Sequence, residues 1–431
     1  MRSKTTLFDK FVLILLIILP ILNVYGFSDD MRFSTLATYT VIALFVLSGK
    51  LTKATPKRVL PHFLFIFFIY YYAVSFIMNI SGGVYAMISL SIIQTFVISL
   101  IYWSSFQENL FIKYYKLFAI AFIIVFFLQE SAYNTFGYRM SGLIPGLPTA
   151  SSRYDMSEVI DRREFMDRSS SLFSEPAHLV LYLLPLLAIA LYEDTKRSKI
   201  FAAIIVAALL LLRSGTALLG LGALFVYYIY SYPKLKGKKS KYRYIVLALI
   251  IAASALGVRF FLTSELSSFI FERTEELSTS YEGGSMSGFL RLWRGYYVYA
   301  DYNPLEKLLG NPNKDAIIGH LKNVGMYFED LPNQLYFNTF QTLLIRTGLV
   351  GLLLFSMFLI QTWKETSLCG RCIIVVFVAL SFEGSNFFTT QCFVFLLLAT
   401  NMKPKIQKQR VPVHGAGKEV CMAELTGVKA L

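Results

Sequence analysis

The sequence predicts an all-α, polytopic integral membrane protein of about twelve transmembrane helices, with two short hairpins and two extracytoplasmic loops. Three observations predict it. Of the 431 residues, 55% are hydrophobic and only 16% charged, with a mean hydropathy of +0.56, against roughly 45–50% apolar and about 25% charged in ordinary globular domains. The apolar residues arrive in long unbroken blocks rather than at amphipathic spacing. The net charge of +14 is concentrated in some of the segments between those blocks and sparse in others, the asymmetry expected of a polytopic protein. Together they exclude a soluble enzyme. They also remove the usual reading of a basic chain, and no nucleic acid is expected as a partner.

Taken in order, residues 1–130 hold five spans, near 11–27, 33–49, 60–80, 84–103 and 112–130. The first resembles the apolar region of a signal peptide but lacks an A-x-A-like cleavage site and is followed by more spans, so it reads as a retained helix. Residues 131–171 form a first large extracytoplasmic loop. Residues 172–262 hold spans near 176–192, 200–212, 216–231 and 244–262, and 263–334 form a second large loop. Residues 335–401 hold spans near 340–360, 372–382 and 391–401, and 402–431 are a basic tail. Cys369 and Cys372 form a lone CxxC with no second pair, too little for a metal or disulfide framework.

With both termini in the cytoplasm, the segments on that side carry 26 Lys and Arg against 14 outside, with Arg346 inside a span. The strongest single contribution is KLKGKKSKYR at 234–243. Both short hairpins are needed to keep the basic segments that follow them inside. The arm 200–212 reaches only about 20 Å at about 1.5 Å per residue, against a hydrocarbon core of about 30 Å. The tips Arg213–Thr216 and Glu383–Asn386 are therefore expected below the outer surface, where a charged side chain must face protein or water.

The two sides differ in the kind of charge. The cytoplasmic set is 20 Lys and 6 Arg, the outer set 11 Arg and 3 Lys. Lysine suits a topology signal, whereas the planar guanidinium binds phosphate and carboxylate in bidentate fashion. The bland alternative for any one outer Arg is pairing with a nearby acid, as in DRREFMDR at 161–168. No phosphate-cradling glycine loop, G-x-S-x-G or zinc pattern is present, and the four His are far apart in sequence. Candidate chemistry lies in four outer clusters. In the first, Arg168 and Glu175 flank the start of a span, with His178 on the Glu175 face, although Ser174, Pro176 and Glu175 also suit a helix start by themselves. The second is Arg213 at the hairpin tip. The third is the helix bearing Arg291 and Arg294 on one face at i, i+3, with Trp293 and Tyr296, Tyr297 and Tyr299 around them; paired Arg suit a diphosphate, and the aromatics suit either sugar stacking or an interface belt. The fourth is Asn338–Gly351, in which Arg346 either pairs with an acid such as Glu175, Glu130 or Glu383 or snorkels, and Gly348 and Gly351 suit close packing. His320 and Glu383 complete the set of polar outer residues.

In this order the clusters resemble the O-antigen polymerase and ligase families of bacterial envelopes. The matching residues are Arg168 with Glu175-Pro176, the hairpin Arg213-Ser214-Gly215, Arg291-Leu292-Trp293 followed by Pro304 and Leu309-Gly310, and Asn338 to Gly351. The likeness covers about 165 to 360. The ligase pattern has a His before the Asn, nine residues, then G-x-x-G; here the spacing from Asn338 to Gly348 and Gly351 fits, but Phe337 occupies the His position, which favours a polymerase. The resemblance implies a metal-independent and cofactor-free glycosyl transfer at the outer face of the bacterial inner membrane. An undecaprenyl-pyrophosphate-linked glycan is the donor and a second lipid-linked repeat unit the acceptor, with membrane lipid around them. Glu175 would be the general base and Arg213 and Arg291 the catalytic cations. Arg168, Trp293, Arg294, His320 and Glu383 would bind substrate. A flippase and a chain-length regulator would be protein partners. The competing readings are a ligase-like or protein O-oligosaccharyl transferase and, from a different class, a polysaccharide flippase or transporter.

Overall fold

A computed structural model describes residues 6–28, 31–79, 85–137, 140, 142–144, 146–150, 169–193, 195–235, 292–328, 335–385 and 389–404. Among them every regular element is a helix, apart from two isolated bridges, Tyr25 to Thr149 and Gly26 to Arg32. The elements are α1 Leu7–Leu22, α2 Phe33–Leu47, α3 Lys50–Lys53, α4 Pro56–Val59, α5 His62–Met78, α6 Tyr85–Ser105, α7 Glu108–Phe136, α8 Pro176–Glu193, α9 Lys196–Leu211, α10 Gly215–Leu235, α11 Arg294–Asp301, α12 Pro304–Leu309, α13 Lys314–Asn323, α14 Thr339–Glu365, α15 Leu368–Leu380 and α16 Thr390–Asn401. Helices occupy eleven of the twelve apolar segments; the remaining one, 244–262, lies outside the described residues. Five helices, α6, α7, α8, α10 and α14, are long and apolar enough to cross a membrane. The chain therefore has the helices of a membrane protein.

At the centre stands α8, whose residues Leu179 to Ala190 are all buried. An unbroken apolar run suits that position, because a helix enclosed by neighbours has no polar face to present. It packs against α9, α10, α15 and α16. Its contact with α10 is parallel and close: Leu184 lies where a Cβ on Gly220 would fall, and Tyr192 stacks edge-on against Tyr228 at 5.3 Å. These two pairs keep the same sequence offset, so the first turn of α8 lies level with the turn around Arg213.

Segments that the charge argument puts on one side meet at a common end. Lys50 pairs with Asp9 at 3.3 Å, Lys116 with Glu193 at 2.6 Å, and Trp103 Nε1 donates to Thr400 Oγ1 at 3.1 Å. At the opposite end, Gly26 N donates to Pro148 O and Ala150 N to Val24 O, and the two hairpin tips join.

Two boundaries and the interior of one helix differ from the expected ones. Helix α7 runs six residues beyond the expected start of the first loop, to Phe136, and stops where Gly137 takes a left-handed conformation, φ 65°. Helix α9 begins at Lys196 because Thr195 caps it, accepting from Ser198 N, so the basic turn extends the arm to 16 residues, about 24 Å. The second hairpin remains short, with 13 residues in α15 and 12 in α16. The largest departure is in α14, which is interrupted at Gly348, φ 60° and ψ −168°.

Candidate functional site

The two hairpin tips form the first part of the site. Arg213 closes α9 in a left-handed conformation, φ 47°, with its side chain exposed between buried Leu212 and Ser214. Ser214 O accepts Ala217 N and so starts α10. One residue into α10, Thr216 Oγ1 donates to Glu383 Oε1 at 2.8 Å. Glu383 belongs to the turn after α15, whose carbonyls hold the start of α14: Thr339 N donates to Ser381 O and Gly384 O, and Thr339 Oγ1 donates to Gly384 O at 2.8 Å. Asn338 and Gln341 form a capping box there, which explains why this helix starts where it does.

From that cap the path continues into α11. Gln341 Nε2 donates to Leu292 O at 2.8 Å, and Gly295 admits the Gln341 side chain, which a Cβ would meet at 2.6 Å. Trp293 is 53% exposed, and Tyr296 and Tyr297 are also open. Arg294 is not: it is fully buried, Nε donates to Met326 O at 3.0 Å, and its guanidinium lies 5.7 and 5.9 Å from the Phe328 and Phe337 ring centres. Burial lowers its pKa to about 10, which leaves it charged at neutral pH. These contacts tie α11 to the loop at Met326 and Phe328. Arg291 and Arg168 lie outside the described residues.

His320 occupies a cluster that ties α11, α12 and α13. Its Nδ1 lies 2.7 Å from Asp301 Oδ2, its Nε2 3.6 Å from Glu306 Oε1, and its ring meets Tyr302 edge-on at 4.7 Å. Hydrogen bonds from His320 and then Asn323 hold the Asp301 carboxyl below its usual pKa. Glu306 is itself fixed by the capping box with Asn303 and by Asn311 Nδ2 at 2.8 Å. An imidazole oriented by a carboxylate is the arrangement of a general base, and here it also clamps three helices.

Glu175 is exposed at the start of α8, level with the Arg213 turn. Its carbonyl accepts His178 N, and His178 Nδ1 lies 2.7 Å from Ser174 Oγ. The segment before it is set rigidly. Ser171, left-handed at φ 56°, donates N–H to Gln129 Oε1 at 2.8 Å, accepts Gln129 Nε2 at 3.1 Å, and donates its hydroxyl to Phe122 O. Gln129 on α7 thus positions the Glu175 turn, a role no local pattern in the sequence signals.

Sequence reasoning also missed the joint between the second loop and α14. Gly310, φ 82°, lies against the interruption at Gly348: a Cβ on Gly310 would fall 2.4 Å from Gly348 N, and one on Gly348 would fall 2.3 Å from Leu308 O. The carbonyls released by the break are taken up by protein. Asn311 N donates to Ile345 O at 2.8 Å, and Tyr70 Oη on α5 donates to both Leu309 O and Thr347 O at 3.0 Å. Irregular backbone in a membrane helix requires such partners. Arg346, two residues before the break, is half-buried and forms no ion pair among the described residues, so the expected pairing with Glu175, Glu130 or Glu383 is not made. Nearby Tyr302 has a buried hydroxyl with no hydrogen-bond partner among the described residues.

No protein-family model matches the chain, and neither does any curated protein. What the geometry provides is one end of the helix bundle on which an exposed Arg213, a Thr216-bound Glu383, an exposed Glu175 and open aromatic rings of α11 surround the capped start of α14.

Proposed function

We propose that the chain is a membrane-embedded glycosyltransferase that polymerises undecaprenyl-pyrophosphate-linked oligosaccharide units at the outer face of the bacterial cytoplasmic membrane. One observation carries the reading. The segments on which the family likeness rests, dispersed from Arg213 to Gln341 and beyond, are linked by a single hydrogen-bonded path: Thr216 to Glu383, Gly384 to Thr339, and Gln341 to Leu292. In this reaction the anomeric C–O bond of the donor breaks and the acceptor oxygen forms the new bond. The acceptor proton goes to Glu175, and undecaprenyl pyrophosphate departs with its charge stabilised by Arg213 and Arg291. Both reactants are held in one bilayer, which supplies much of the required proximity. Phe337, where the ligase pattern has His, is buried against Arg294 and has no proton to exchange.

A second reading, a flippase, is favoured by the interruption of α14, since transporters build sites at broken helices. Against it, the carbonyls of Ile345 and Thr347 are already bonded to Asn311 and Tyr70. Purified protein supplied with lipid-linked repeat units should give a polymer ladder, and Arg213→Lys and Arg291→Lys should abolish it while single units still reach the outer face. No ladder from well-folded protein, or units trapped inside in the variants, would reject the polymerase in favour of the flippase.

A further inference from the structure

Away from that end, α7 and α9 leave a groove of about 540 Å³ between them, lined by Ile120, Ile124 and Phe127 of α7 and Ile200 and Ile204 of α9, with Arg197 at one end. Its volume is in the range of ligand pockets, about 300–1,000 Å³. Ile124 and Ile200 are 53% and 55% exposed, and α7 is one of the helices able to span a bilayer. The groove therefore opens on the flank of a helix long and apolar enough to span a bilayer, a setting whose chemistry suits an acyl chain.

Its charged end is specific. Arg197 is the first groove residue on α9, so it lies where α9 begins, beside the Lys116–Glu193 ion pair. Of the two acids at the α8–α9 link, Asp194 lies outside the described residues and Glu193 is engaged, accepting Lys116 Nζ at 2.6 Å and Ser198 Oγ at 2.5 Å. Arg197 has no hydrogen bond or ion pair among the described residues, and exposed Lys196 and Lys113 add charge of the same sign. The start of α9 contributes the positive end of a helix dipole. From Arg197 to Ile204 the groove rises about 10 Å, enough for the upper part of one acyl chain beneath a phosphate held at Arg197.

We propose that this groove is a binding site for an anionic glycerophospholipid, with its phosphate on Arg197 and one acyl chain between α7 and α9. Basic pockets between membrane helices on the cytoplasmic side take such headgroups, each basic residue contributing a free energy equivalent to about fivefold in affinity. The site is separate from the outer cluster and stands whether or not the chain is a polymerase.

The test uses the delipidated full-length protein in detergent, titrated with phosphatidylglycerol or phosphatidylcholine of identical chains and followed by native mass spectrometry and thermal unfolding. Phosphatidylglycerol should be retained and raise Tm, whereas phosphatidylcholine and inorganic phosphate should not. Arg197→Gln should weaken phosphatidylglycerol binding about fivefold and bring it towards that of phosphatidylcholine. Ile204→Trp, which fills the groove, should abolish retention. Equal binding of the two lipids, or unchanged binding in Arg197→Gln, overturns the proposal. So does the absence of any lipid effect.

Discussion

Replacing Gly348 by Ala tests the joint between the second loop and α14. At φ 60° and ψ −168° the residue occupies a region that is essentially glycine's alone, and forcing a side chain into it costs about 1–3 kcal/mol. The added Cβ would stand 2.3 Å from Leu308 O and 2.5 Å from Gly310 N. Both are backbone atoms of a segment pinned by Tyr70 and Asn311, so relief requires the α12 turn to withdraw. Overpacking of this kind costs about 1–3 kcal/mol more. The expected loss is between about 2 and about 6 kcal/mol, read as unfolding free energy in mixed detergent micelles and as loss of the monodisperse peak after mild heating. Gly351→Ala is the control. There the Cβ meets mainly the Thr347 side chain, 2.1 Å from Oγ1, in ordinary helical backbone, so the penalty should be the smaller of the two. Wild-type stability in Gly348→Ala, or a larger loss in Gly351→Ala, would refute the argument that backbone contact holds this joint.

Tyr70→Phe removes the donor shared by Leu309 O and Thr347 O, for a loss of about 1–3 kcal/mol in the same unfolding assay; combined with Gly348→Ala the effects should be less than additive, because both act on one joint. The Asp301 carboxyl has a folded pKa below its usual value of 3.8, so its contribution to the α11–α13 cap is complete above that value and disappears as pH falls through the folded pKa. Hydrogen exchange across 294–323, corrected for intrinsic rates, should show protection that is flat from about pH 7 to pH 5 and falls below about pH 4. Asp301→Asn should lower protection at neutral pH and remove the acid-dependent fall.

Much of the helical framework was legible because lipid-facing helices need long apolar runs, and such runs survive without knowledge of neighbours. That the two hairpin tips share one end of the bundle was also foreshadowed, since the count of apolar runs puts both turns on the same side, and Thr216 bonds Glu383 there. Pairings between distant segments left no such trace. Tyr70 stands in a run of three tyrosines, and nothing local distinguishes the one that bridges Leu309 and Thr347. The pattern of Arg291 and Arg294 at i, i+3 suggested a common exposed face, yet Phe328 and Phe337, from segments tens of residues away, close over Arg294. Gly348 was readable as a site of close packing; that its partner is Gly310 was not, because a backbone approach depends on where the α12 turn ends and not on any side-chain pattern.

Under the proposed function, the left-handed turn at Arg213 would set stability and activity against each other under selection. A residue at φ 47° is easier to satisfy with glycine or asparagine than with arginine. A library screened only for thermal survival should drift from arginine to those residues at this position, whereas one screened for polymer at the cell surface should not. Whether arginine persists in each population measures how far the turn is kept for folding and how far for the charge it presents.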